Sequence, residues 1–184
     1  QKEAIRLYKL AADQGQTESM VAYGLVLKEM ADKDDDKFKK KEAANYFKMA
    51  KEKGNIEGIF NYSKMVYSDE YNEYNEYDDY KNHVNNKKEA VRSLKFAAEN
   101  GHLEAMRLYA EALSYGDYIE KNIEEALRIH KEAGEKGNTK SLLDCFTIYY
   151  DGVGVDRDID ESFRYLKKAA ELGDKDAIHE LCKC

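Results

Sequence analysis

Five glycines recur at matching places in this chain of 184 residues, and their spacing is the strongest constraint on its fold. They are Gly15, Gly54, Gly101, Gly137 and Gly173, at intervals of 39, 47, 36 and 36 residues. Each lies twelve residues after an acidic residue that opens a helix-like segment. A repeat of about 40 residues is the length of one helical hairpin with its two turns. The spacing therefore predicts a solenoid of stacked hairpins, with function on its surfaces rather than in a catalytic pocket.

Small and apolar residues keep helical spacing on both sides of each glycine. Small residues stand four positions before it and again seven positions earlier, which lets a neighbouring helix approach closely. They are Ala11, Ala50, Ala97, Ala133 and Ala169, with Ala4, Ala43, Ala90, Ala126 and Ser162. After each glycine, a buried stripe is predicted at Met20, Tyr23, Leu27, Ile59, Tyr62, Val66, Met106, Tyr109, Leu113, Leu142, Cys145 and Tyr149. Two amphipathic helices per repeat, and an all-α fold, are expected.

Composition supports helices and argues against two classes of partner. The chain has no proline, so glycine, asparagine and aspartate must make the turns. A net charge of −7 with lysines spread through every repeat argues against a nucleic-acid surface, which needs a basic stripe. No stretch approaches the 18 or more apolar residues of a membrane span. We expect neither nucleic acid nor a membrane-spanning helix.

One turn carries a recognisable motif. Residues 149–158 read YYDGVGVDRD, and residues 169–173 read AAELG. This pattern resembles the Sel-one-like repeat (SLR), a relative of the tetratricopeptide repeat. Residues 115–119 resemble a worn version of the same turn. The resemblance implies a right-handed α-α superhelix of about ten helices that acts as a scaffold or adaptor for other proteins.

The phase of the family's repeat sets the expected boundaries. A single solenoid over residues 1–184 is predicted, with hairpins at 16–53, 55–100, 102–136 and 138–172 and unpaired helices at 1–13 and 174–184. The unpaired helices would expose apolar faces. We therefore expect either more protein on both sides or a homodimer through these terminal helices.

Two segments interrupt the repeats. Residues 32–37 (DKDDDK) are expected to form a solvated turn, with an electrostatic contact to a partner as the alternative. Residues 69–86 explain the longest interval and carry Tyr71, Tyr74, Tyr77 and Tyr80 among acidic residues. This composition favours a mobile loop, because little of it can be buried. A helical extension with a tyrosine stripe, and a modification site or docking peptide, are the alternatives.

No constellation of residues predicts catalysis, a metal or a cofactor. The four histidines are scattered over different repeats, and His102 and His130 are expected in a turn and on an outer face. Cys145 falls on the buried stripe, which predicts packing rather than nucleophilic use. Three cysteines with none paired within a repeat favour a reducing, cytoplasmic location. Because residue 1 is not Met, the sequence leaves a secreted or ER-lumenal location open.

A partner polypeptide is expected on the inner, concave wall, which the first helices of the hairpins would line. Solvent-facing positions there lie three, six or seven, ten and thirteen residues after each glycine. The predicted partner-binding residues are Phe60, Asn61, Lys64, Tyr67, Arg107, Glu111, Leu143, Asp144, Thr147 and Tyr150. Aromatic side chains would anchor the partner, and Asn61, Lys64 and Arg107 would bind its backbone or carboxylates. The alternative function is the non-catalytic regulatory arm of a larger enzyme, such as a kinase or a cell-wall synthase activator.

Overall fold

The computed structural model of the chain describes residues 2–70 and 80–183. Within these ranges the backbone forms ten α-helices and no strand, which confirms the predicted all-α class. The helices are α1 (Lys2–Asp13), α2 (Thr17–Asp34), α3 (Lys37–Glu52), α4 (Ile56–Tyr67), α5 (Tyr80–Glu99), α6 (Leu103–Tyr115), α7 (Ile123–Glu135), α8 (Thr139–Asp151), α9 (Ile159–Glu171) and α10 (Lys175–Leu181).

The helices group into two compact units. The N-terminal unit, Gln1–His102, contains α1 to α5, and the C-terminal unit, Leu103–Cys184, contains α6 to α10. Inside each unit every helix packs against the next helix along the chain, as expected for a solenoid. The predicted apolar stripe supplies the core, because each of its residues is buried or half-buried.

Small residues allow neighbouring helices to approach closely, as the sequence predicts. Most of the small residues before each glycine are buried, including Ala50, Ala133 and Ser162, which have no exposed surface. Two helical glycines extend this packing. A Cβ on Gly58 would lie 2.5 Å from Cβ of Ala50, and a Cβ on Gly134 would collide with the side chain of Leu142.

The repeated glycines end one helix, and the residue that follows usually caps the next. Gly54 and Gly137 have φ values of +78° and +97°, a conformation that strains residues with a side chain. Asn55 and Asn138 follow them, and their side-chain oxygens accept hydrogen bonds from the first turns of α4 and α8. This is why the helices on either side of a repeated glycine can be joined by only three residues without proline.

The charged segment at 32–37 is more structured than the expected solvated turn. Helix α2 continues through Asp34, and only Asp35 and Asp36 separate it from α3. Asp35 has a left-handed φ of +50°, and the carboxylate of Asp36 caps α3 at 2.9 Å from the amide of Phe38. Nearby lysines pair with these acids, as in the 2.9 Å contact of Lys39 with Asp34. The segment is a helix boundary whose charges are largely neutralised locally.

The last part of the tyrosine-rich segment at 69–86 is helical, not the mobile loop that the sequence favours. Helix α5 begins at Tyr80, so residues 80–86 are helical, where the composition favours a mobile loop. The C-terminal part of the same helix carries the buried side chains of Val91 and Leu94, which hold α5 in the core. Tyr71, Tyr74 and Tyr77 lie outside the described residues.

Candidate functional site

The predicted binding strip of the N-terminal unit lies on α4, and half of it is buried. Phe60 and Asn61 are only 6% and 8% exposed, so the prediction that they face solvent is wrong. The ring of His102 stacks on Phe60 with centroids 4.0 Å apart. The amide of Asn61 donates to the carbonyl of Glu57 at 2.8 Å. Both side chains are used within the unit, so neither is displayed to a partner.

Lys64 and Tyr67 are the half-exposed members of the strip on α4. The Lys64 ammonium lies 5.8 Å from the centroid of the Phe60 ring. The carbonyl of Tyr67 accepts a hydrogen bond of 2.6 Å from the ammonium of Lys87, which also lies 2.7 Å from the carboxylate of Asp69. Lys87 is almost fully buried and fixes the last turn of α4 to α5.

In the C-terminal unit, the strip on α6 and α8 is organised around Arg107. Its guanidinium contacts Glu104 at 3.1 Å and Glu111 at 2.8 Å on α6, and Asp144 on α8 at 3.8 Å. The Arg107 side chain is 17% exposed. These contacts hold the pKa of Arg107 above its ordinary value against the opposing effect of burial. One cation thus ties together three carboxylates, and the group carries a net negative charge.

His130 on α7 lies beneath this group, and the prediction that it occupies an outer face is wrong. It is 1% exposed, and its Nδ1 lies 3.5 Å from Oδ2 of Asp144. Neither of these two buried atoms makes a hydrogen bond. Burial, together with the positive charge of Arg107, lowers the pKa of His130 to about 4.

Asp144 is shifted in the opposite direction from His130. Burial raises its pKa to about 6, and Glu111 and Glu104 add to the increase while Arg107 opposes it. At neutral pH His130 is therefore neutral and Asp144 is charged. In mildly acidic solution both groups are uncharged.

The exposed part of the strip follows α8 beyond this group. Thr147 is exposed, and Tyr150 is 39% exposed although it is aromatic. Leu143 is half-buried and packs against the core. A pocket of about 180 Å³ opens beside Thr147 and Tyr150, lined also by Phe146, Asp151, Phe163 and Glu180. Polar and aromatic groups therefore meet on one face of the C-terminal unit.

The thiol of Cys145 is buried directly behind this face. It has no exposed surface, and burial raises its pKa to about 12. A thiol with so high a pKa stays protonated and is a poor nucleophile. The prediction that Cys145 packs in the core is confirmed.

Sequence comparison decides the family. The Sel1 repeat model matches residues 1–16, 19–55, 103–138 and 144–174, together well over half of the chain. The chain belongs to the Sel1 repeat family. Sel1 repeats are generally non-catalytic scaffolds for protein interactions. The longest stretch without a match, residues 56–102, contains the tyrosine-rich segment.

Solved structures with Sel1 repeats share the fold. A Sel1 repeat protein from Oxalobacter formigenes superposes with a TM-score of 0.72 at 21% identity, over 89% of this chain and 61% of the other. One from Klebsiella pneumoniae subsp. pneumoniae gives 0.56 at 13% identity, over 99% and 84%. A protective antigen of uropathogenic Escherichia coli with an SLR fold gives 0.52 at 20% identity, over 96% and 42%. This chain thus spans 61% of the Oxalobacter protein.

No curated protein matches the sequence. None of the helices in the described part of this Sel1 repeat chain has the length and apolar character needed to cross a membrane.

The alignment of the Sel1 repeats contained a signal for the burial of His130. Seven positions before the glycine, where His130 stands, the other units carry Tyr8, Phe47, Leu94 and Leu166. Three of these are fully buried, namely Phe47, Leu94 and Leu166. A histidine at this position of the repeat is therefore expected in the core. The residues at the equivalent position of the other units predict the burial of His130 better than the polarity of histidine does.

Proposed function

We propose that this Sel1 repeat protein binds partner polypeptides on the face of its C-terminal unit formed by α6 and α8. The observation that carries the proposal is Tyr150, an aromatic side chain that is 39% exposed at the edge of a pocket. Aromatic side chains beside a pocket are the usual anchors of protein interfaces. The general role of Sel1 repeats as interaction scaffolds supports the same function.

The Arg107 group supplies a preorganised polar region on the same unit as this anchor. Glu104, Glu111 and Asp144 already hold the Arg107 side chain in place, so little conformational entropy is lost when a partner binds. The group carries one positive and three negative charges and favours a partner segment with basic residues. Arg107 then positions the carboxylates, rather than binding the partner's carboxylates as the sequence suggested.

The N-terminal unit contributes less to this proposal. Phe60 and Asn61 are occupied by contacts with His102 and Glu57. Lys64 and Tyr67 remain half-exposed on α4. Replacement of Phe60 is therefore a poor test of binding, because it would damage packing first.

A test begins with a random peptide library displayed on phage and selected on the full chain. The affinity of a selected peptide is then measured by fluorescence anisotropy for the native protein and for Tyr150→Ala. We expect the substitution to weaken binding roughly thirtyfold, the effect of a typical interface hot spot.

Tyr8→Ala is the matched control, because Tyr8 is 43% exposed but lies on α1 of the N-terminal unit. It should leave the affinity within about twofold. Equal affinity of the native protein and Tyr150→Ala, or equal losses in the two variants, would contradict the proposal.

A further inference from the structure

The pocket between α8, α9 and α10 has aromatic walls. Phe146 and Tyr150 come from α8, and Phe163 comes from α9. The ring of Phe163 is inclined by 74° to Phe146 and by 72° to Tyr150, with centroids 6.0 and 6.5 Å apart. The rings of Phe146 and Tyr150 lie at 36° with centroids 5.3 Å apart. Phe163 on one side, and Phe146 and Tyr150 on the other, thus form two nearly perpendicular walls that meet in a corner.

Oxygen atoms complete the lining. Asp151 on α8 and Glu180 on α10 bring two carboxylates, and Thr147 brings a hydroxyl. The Thr147 hydroxyl donates its proton to the carbonyl of Leu143 at 3.1 Å, so its oxygen remains an acceptor. The pocket therefore combines aromatic rings with three acceptor groups and has no cation in its lining.

These features select the charge and shape of a ligand. Aromatic rings and carboxylates both attract cations, and a ring corner favours a compact cation over a flat one that would stack. An ammonium group has three N–H donors, which equals the number of acceptor groups in the pocket. A guanidinium has five donors in a plane and would leave some of them without acceptors here.

Two cations of the chain itself lie near these groups. Lys183 pairs with Glu180 at 2.8 Å in a half-exposed contact, and this pairing lowers the pKa of Glu180, which is charged at neutral pH. The Arg157 guanidinium lies 5.4 Å from the centroid of the Tyr150 ring and donates to its carbonyl at 2.8 Å. Arg157 is outside the pocket lining, where it restrains Tyr150.

We propose that this pocket binds the side chain of an unmodified lysine on the partner polypeptide, held by the rings of Phe146, Tyr150 and Phe163 and by the carboxylates of Asp151 and Glu180. The inference rests on the function proposed above and specifies which partner residue is recognised. The negative charge of the Arg107 group on the same unit favours further basic residues beside that lysine.

The direct test uses a minimal probe, the peptide acetyl-Gly-Lys-Gly-amide, titrated into the full chain labelled with nitrogen-15. Its norleucine analogue keeps the alkyl chain and lacks the ammonium, and its trimethyllysine analogue keeps the charge and lacks the three donors. We expect the lysine probe to shift the amide signals of Phe146, Tyr150 and Phe163 at low salt. The norleucine probe should bind at least about tenfold more weakly, and the trimethyllysine probe about threefold more weakly.

Two protein variants test whether a carboxylate in the pocket binds the ammonium of the lysine probe. Glu180→Gln removes a carboxylate from the pocket and should weaken the lysine probe about fivefold. Glu171→Gln removes an exposed carboxylate on α9 outside the pocket lining and should change the affinity by less than about twofold.

Equal binding of the lysine and norleucine probes would overturn the inference, as would equal effects of Glu180→Gln and Glu171→Gln. Tighter binding of the trimethyllysine probe would replace it with recognition of a methylated lysine. Absence of any shift at about 10 mM probe would also overturn it. If phage-selected peptides still lose affinity with Tyr150→Ala while replacement of their lysines by norleucine has no effect, the lysine pocket fails and the proposed function stands.

Discussion

Each unit of the protein contains a buried cation, and the two are held in different ways. Lys87 of the N-terminal unit binds the carbonyl of Tyr67 and the carboxylate of Asp69, which is 64% exposed. Arg107 of the C-terminal unit is shared by Glu104, Glu111 and Asp144, whose side chains are 28%, 36% and 38% exposed. Lys87 closes a helix end, whereas Arg107 neutralises carboxylates that are themselves partly removed from water.

This difference explains why the two units present different surfaces. In the N-terminal unit the polar and aromatic groups of α4 are used to pack His102 and to fix α5. In the C-terminal unit the Arg107 group involves only Asp144 of α8, and Thr147 and Tyr150 of the same helix are exposed. The C-terminal unit thus leaves groups of α8 exposed, whereas the N-terminal unit uses most of the corresponding groups of α4 in packing.

Replacement of Arg107 should have the largest effect and therefore best tests the difference between the cations of the two units. Arg107→Met leaves three partly buried carboxylates without their cation and should lower the free energy of unfolding by about 3 kcal/mol at neutral pH. Urea unfolding followed by circular dichroism measures the change. Arg128→Met removes a side chain that is 60% exposed and also pairs with two glutamates, and should cost less than about 1 kcal/mol. Equal costs would show that the network contributes no more than an exposed one.

Tight helix packing gives the next largest expected effect. In Gly58→Ala the new methyl group meets the Cβ and backbone of Ala50, which cannot move aside, so we expect a loss of about 2 kcal/mol. In Gly134→Ala the obstacle is the side chain of Leu142, which can adjust, and the gain in helix propensity offsets part of the cost. Thermal unfolding of both variants should rank Gly58→Ala as the less stable. The reverse order would contradict this account of the two contacts.

Loss of the N-terminal cation should matter less than loss of Arg107. Lys87→Met removes a hydrogen bond to the Tyr67 carbonyl and a contact to an exposed carboxylate, and the expected cost is about 1.5 kcal/mol. Hydrogen exchange should show faster opening of the last turn of α4 in this variant. A cost equal to that of Arg107→Met would remove the distinction between the two units.

A change of pH should have the smallest net effect on the free energy of unfolding, because the contributions of His130 and Asp144 change in opposite directions. The pKa of His130 is lowered to about 4, so its contribution to stability is present above its ordinary value of 6.5 and is lost as the pH falls. The pKa of Asp144 is raised to about 6 from 3.8, so its contribution appears as the pH falls through 6. Together they should change stability by less than about 1 kcal/mol between pH 6 and 4.

Single substitutions at this pair separate the two effects. Asp144→Asn removes the contribution that appears in acid, so its stability relative to the native protein should decrease from pH 6.5 to 4.5. His130→Gln should show the opposite trend. Urea unfolding over this pH range measures both trends, and parallel profiles for the two variants would refute the assignment.

The predictability of each feature from sequence depends on how local its cause is. The glycine turns, the alanine packing and the buried stripe follow from residue size and helical spacing, and the structure confirms them. The exposure of Phe60 could not be predicted in this way, because it depends on His102 from another turn lying over the ring. The pocket could not be predicted for the same reason. Its lining residues Glu180, Phe163 and Tyr150 are brought together only by the packing of α8, α9 and α10.

An NMR footprint of a phage-selected peptide on the full chain tests whether α6 and α8 of the C-terminal unit form the proposed binding face. We expect the largest chemical-shift changes on Thr147, Tyr150 and the Arg107 group. A footprint centred on α4, or on parts of the chain outside α6, α8 and the pocket that α9 and α10 help to line, would contradict this proposal.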